Sequence, residues 1–193
     1  MQWGSALLLL ACSGVAPLPA RAHPHVFVDY GVVLLFGPEG MTGLEFTWTY
    51  DDLFSSLILE SARVAPSRTL SAAASQAIEQ RHFQPLRAGH YFLDIRVDGS
   101  PVRVDAVRDF RASLSEDRLR YTFIVPITAK NPREGTVEIR VDDPTYYVAF
   151  DPQGQSPVRW NAPPTYAVSC LVIPGSGSFD SATTQCRYRR KSP

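Results

Sequence analysis

HVFVDYGVVLLFGPEGMTGLEFTWTY, residues 25–50, reads as two β-strands joined by a turn. The first arm is dense in Val, Leu, Phe and Tyr, side chains that suit a pleated, half-buried surface. Gly37-Pro38-Glu39-Gly40 supplies the turn. In the second arm Leu44, Phe46, Trp48 and Tyr50 fall on one face and Glu45, Thr47 and Thr49 on the other. That alternation of period two predicts a strand with one face in a core.

Working outward toward the C-terminus, Asp51-Asp52 precedes LFSSLILESA, where Leu53, Phe54, Leu57 and Ile58 recur at helical spacing. An amphipathic helix near 51–62 with an aspartate cap follows. Thr69 or Ser71 can cap a second helix near 70–83, closing at His82-Phe83. Strand patterns return at residues 90–97 (HYFLDIRV), 102–114, 119–127, 136–141 (TVEIRV) and 145–150 (TYYVAF), with turn signals between them. Short strands at this spacing predict a mainly β (α+β) fold, an antiparallel sandwich-like sheet system with an inserted helical pair. Beyond Asp151 the prolines and glycines predict an irregular segment, and RYRRKSP reads as a solvated basic tail.

The whole chain is 193 residues, 45% hydrophobic and 20% charged, with 19 basic and 19 acidic residues. This is globular composition, enough for one core-forming domain, and it excludes disordered and collagen-like classes. Zero net charge offers no electrostatic case for nucleic acid as a partner.

Residues 6–12 (ALLLLAC) form an apolar run too short to span a bilayer. With Ala20-Arg21-Ala22 after it, the segment 1–22 reads as a secretory signal peptide, leaving residues 23–193 as a single exported domain. Leu9-Leu10-Ala11-Cys12 also resembles a lipobox, in which Cys12 would be lipidated. Either route leads to the periplasm. Cys170 and Cys186 are the two cysteines beyond the leader, and in an oxidising compartment a disulfide is their simplest state. A two-thiolate metal site is the alternative.

His23-Pro24-His25 would then open the mature chain. In an extended segment residues two apart point to one side, so both imidazoles can converge on one ion, with Phe27 and Asp29 on the same face. The freed amine of His23 adds a nitrogen. Pro24 has no amide proton to lose, so square-planar chelation through the second backbone amide is blocked. An imidazole and amine site of borderline donors remains, suited to Zn, Ni, Co or Cu. Asp29, His90 and Asp142 are further candidate ligands if the fold brings them near; His82, His90 and Asp142-Asp143-Pro144 also have ordinary structural readings as a helix end, a strand start and an Asx turn. The competing reading of His23 and His25 is a frayed end with no ligand role. No nucleophile elbow, phosphate-binding glycine loop or H-E-x-x-H is present, and Trp48 and Trp160 read as core.

AHPHVFVDYGVVLLF, LEFTWTYDDLFSSLIL and DDPTYYVAF resemble an uncharacterised family of bacterial envelope proteins, labelled a domain of unknown function or the periplasmic component of an ABC-type transport system. Its members are often companions of nickel/cobalt efflux permeases. The resemblance implies an accessory of a membrane transporter, with His23, Pro24 and His25 the positions that match. Together with the two imidazoles it leads to the expectation of a non-enzymatic protein that binds a transition metal at its mature N-terminus. Relatives carry an acidic, glycine-containing loop between the helices, whereas residues 61–69 (SARVAPSRT) hold no carboxylate, so the six to eight oxygens that calcium asks for are missing there. A structural or protein-interaction module and a copper histidine-brace enzyme are the other functions the sequence allows.

Overall fold

β1 (Val26–Gly37) and β2 (Gly40–Tyr50) form the expected hairpin, with Gly37 facing Gly40 across a two-residue turn. Gly40 has φ 120°, open to glycine and closed to L side chains. The structure is a computed structural model describing residues 24–64, 69–127, 131, 133–152, 157–176 and 180–191. The proposed signal segment, Cys12 and His23 lie outside the described residues.

Asp51 caps α1 (Asp52–Ser61) by accepting a hydrogen bond from the Phe54 N–H, and Ser71 caps α2 (Ala72–Ile78) through the Ala74 N–H. A π-helical turn, Glu79–Phe83, and a 3-10 segment, Gln84–Phe92, continue α2. The remaining strands are β3 (Leu93–Val97), β4 (Ser100–Val102), β5 (Arg108–Ser115), β6 (Arg118–Pro126), β7 (Glu134–Val141), β8 (Val148–Pro152), β9 (Val158–Asn161), β10 (Tyr166–Ile173) and β11 (Thr183–Arg190).

Two sheets share one core. The first runs β5-β6-β2-β1-β8, with β9 also on β1, and the second runs β10-β11-β7-β3-β4. Val28, Tyr30 and Val32 of β1, Phe46 and Trp48 of β2 and Tyr121 and Phe123 of β6 are buried, as are Ile95, Val137, Ile139 and Tyr188 of the second sheet. Phe36 bridges the sheets, with ring centroids 5.2 Å from Tyr166 and 5.3 Å from Tyr188. Burial pushes the Tyr30 and Tyr188 phenols up to about 12, so both stay protonated.

The helical insert is fastened through Phe83, whose ring meets Trp48, Tyr91, Phe110, Tyr121 and Phe123. Serine hydroxyls tie the helices to strand amides: Leu119 N–H donates to Ser55 Oγ and Ala112 N–H to Ser75 Oγ, each at 2.8 Å. Of the apolar residues that predicted α1, Ile58 is buried, but Leu53 is 68% and Leu57 50% exposed. The apolar stripe is wider than the face that the sheet covers.

Several expectations are corrected. The sandwich is β-rich as predicted, yet the first sheet is mixed, because β8 and β9 both run parallel to β1. The segment beyond Asp151 carries three strands, and most of the supposed tail belongs to β11, a central strand with Thr184, Cys186 and Tyr188 buried and its arginines outward. Its prolines sit between strands, where a missing N–H breaks no ladder. His90 does not open a strand: it, Tyr91 and Phe92 have φ between 52° and 56°, ending the 3-10 segment before β3. Trp160 on short β9 is 45% exposed rather than core.

Candidate functional site

The alternation along β1 that buries Val26, Val28 and Tyr30 turns His25, Phe27 and Asp29 outward. His25 is exposed, and it is held in place. Its N–H and that of Val26 both donate to the Tyr147 carbonyl, at 2.9 and 3.2 Å. Its ring leans on the Tyr147 ring, with centroids 5.3 Å apart and planes at 43°. Among the described residues the imidazole nitrogens have no hydrogen-bond partner.

Asp143 builds the support for that contact. Only 5% exposed, it accepts from Thr145 N–H at 2.9 Å and Thr145 Oγ at 2.7 Å through one oxygen, and from Val148 N–H at 3.0 Å through the other. This is the Asx turn expected of Asp142-Asp143-Pro144, and it presents the Tyr147 carbonyl where β8 meets β1. Asp51 fixes the other side: its carboxylate accepts from Phe27 N–H and Phe54 N–H, both at 2.8 Å, and its own N–H donates to the Phe27 carbonyl at 2.9 Å. One aspartate thus caps α1 and bolts it to the start of β1. The roles of Asp143, Tyr147 and Asp51 at this site were not legible in the sequence, which signals only a turn and a cap.

The further candidate ligands are spent elsewhere. Asp29 faces Arg118, with Nη2 3.0 Å from Oδ2. His90 Nδ1 lies 3.3 Å from the Val104 carbonyl and 3.7 Å from Asp105, whose own carboxylate is bonded to Arg103 at 2.8 Å. The Arg103 hydrogen bond holds the Asp105 carboxyl below the usual range. Asp142 accepts from Ser181 Oγ at 2.8 Å and lies 3.5 Å from Arg140. Among the described residues no three His, Cys, Asp or Glu side chains converge on a metal position.

His82 is structural. Its Nε2 lies 2.8 Å from Ser61 Oγ, while Arg81 donates to the Ser61 carbonyl, so the end of α1 is joined to the π turn. Burial and then the neighbouring Arg81 lower its pKa below the ordinary 6.5. The unfolded chain therefore binds the proton more readily, and stability is lost as pH falls from about 6.5 toward the folded value. In His82→Gln the unfolding midpoint is expected to flatten over that window, as read by thermal melts between pH 5 and 7.

Cys170 and Cys186 form the expected disulfide, joining β10 to β11. Such a bond marks an oxidising, extracytoplasmic compartment. No helix among the described residues is long and apolar enough to cross a membrane.

A family model described as "Protein of unknown function (DUF1007)" matches residues 8–174. The chain belongs to this DUF1007 family. An uncharacterized protein of Haemophilus influenzae is 26% identical over 148 residues, covering 73% of this chain and 68% of that protein. The family match takes in the site just described, His25, Asp51 and Asp143 included, and no activity comes with either name.

Proposed function

We propose that this protein is a periplasmic, non-enzymatic accessory of a membrane transport system that binds one transition-metal ion through His23 and His25 at its processed N-terminus. The observation that carries the reading is His25 itself: an exposed imidazole with no hydrogen-bond partner among the described residues, on a backbone pinned by two bonds to Tyr147. A ring fixed at its base and free at its nitrogens is suited to coordinate. Its donor chemistry fits a borderline ion such as Zn, Ni, Co or Cu, and the resemblance of the HPHVFVDY stretch to companions of nickel/cobalt efflux permeases supports an inner-membrane transporter as the partner.

The test starts with the intact mass of the exported protein, expected to begin at His23. Titration of that form with Zn, Ni, Co and Cu should give one site, weakened at least about tenfold in His25→Ala. Equal affinities in the two proteins would end the metal reading.

A protein-interaction module is the second reading, favoured by the apolar surface beside His25: Phe27 is 56% exposed and Tyr146 and Tyr147 are each 50%. It is the reading that stands if the titration fails. A copper histidine brace has less support, because His82 and His90 both have other partners.

A further inference from the structure

The outer strands of the two sheets are not equally protected. β4 is three residues with Pro101 in the middle. β5 carries Arg108, Asp109 and Arg111, has a register shift, and gives its Ala112 N–H to Ser75 of α2. β8 and β9 are short, and β8 ends in Pro152. β10 differs from all of these. Its eight residues, YAVSCLVI, include no charge and no proline. Leu171 is 62% and Ile173 39% exposed on its outer face. Long, uncharged edges of this kind invite another strand.

The register against β11 shows which backbone groups of β10 are available. Cys170 faces Cys186 with a Cα separation of 4.1 Å, the narrow spacing of a pair that exchanges no backbone hydrogen bonds. In the same ladder Lys191 N–H donates to the Thr165 carbonyl, so the odd-numbered residues of β10 are the ones that bond to β11. The N–H and C=O groups of Val168, Cys170 and Val172 therefore point away from the sheet. Among the described residues nothing bonds to them.

We propose that β10 is a self-association edge, through which two copies of this chain pair antiparallel about a twofold axis at Cys170 and join their second sheets. In that register Cys170 meets Cys170 of the second copy and Val168 meets Val172. Each of these pairs exchanges two backbone bonds, so every outward group just named is used. A register centred on Ser169 would instead call on Tyr166, whose N–H already donates to the Pro163 carbonyl. Ser169 then lies across from Leu171 and Ala167 from Ile173 on the outer face, an uncharged seam that meets its own copy without like-charge repulsion. The inner-facing Val168, Cys170 and Val172, half-buried in one chain, gain cover from the second.

Sedimentation velocity of the purified chain over a concentration series is expected to show a monomer–dimer equilibrium. Ser169→Lys with Leu171→Lys places like charges opposite one another and should weaken the dimer at least about tenfold. Ser169→Lys with Leu171→Glu sets Lys against Glu across the same seam and should restore it. Both positions are exposed, so the fold and disulfide are expected to survive, as checked by circular dichroism and intact mass. A wild-type chain that stays monomeric throughout, a dimer unaffected by the double lysine, or a Lys/Glu protein as weak as the double lysine would each overturn the proposal.

Discussion

Phe83→Ala is expected to lower unfolding stability by about 3–5 kcal/mol, the range for truncating a large buried ring. Phe83 is fully buried, and its ring is 4.4 Å from that of Phe110, 4.8 Å from Phe123 and 5.0 Å from Tyr91. Those rings come from β5, β6 and the 3-10 segment, with Trp48 of β2 also in contact. The substitution removes apolar area and leaves a cavity that rigid strands on two sides cannot close. Because the same ring fastens the helical insert, the π turn should lose hydrogen-exchange protection before the hairpin does. Urea unfolding with site-resolved exchange reads both effects, and a loss below about 1 kcal/mol would mean that the insert is not held by this cluster.

Replacing Cys170 and Cys186 together by Ala is expected to cost about 3 kcal/mol, from the freedom returned to the unfolded chain when a loop of 16 residues is opened. The native effect is local. Among the described residues β10 pairs with β11 alone, while its inner face is half-buried, so the covalent link is a large share of what holds it. Without the link, exchange at the amides of Ser169 and Leu171 should approach that of an unprotected edge, whereas β7 and β3 should be little changed. Reducing agent should reproduce the result. If β10 keeps full protection after reduction, the strand is held by packing alone and the disulfide acts only on the unfolded state.

How much was legible differs from element to element. Leu44, Phe46, Trp48 and Tyr50 announced their strand because an inward face repeats every second residue, and Asp51 and Ser71 announced their helices because each precedes orphan N–H groups that it can satisfy. TTQCRYRR of β11 alternates as cleanly, but its arginines and the prolines upstream give it the composition of a solvated tail, which masks the period. Leu53 and Leu57 lay on the apolar stripe of α1 and yet remain exposed, because periodicity defines a stripe and not the width of the surface that meets it.

The candidate site divides in the same way. That His25, Phe27 and Asp29 share a face follows from the pleat of one strand, a local property. That Asp29 is taken by Arg118, 89 positions away, and that Asp143 props Tyr147 beneath His25, depends on which strands become neighbours.

Local chain chemistry was therefore enough to determine the hairpin, the two capped helices, the β-rich class and the cysteine pair. The parallel placement of β8 and β9 on β1, the central position of β11, the bare edge of β10 and the partner of each carboxylate were decided by the tertiary structure. Alternation and capping act between residues a few positions apart, whereas strand neighbours are selected by burying whole faces against one another, a sum over the chain that no short segment carries.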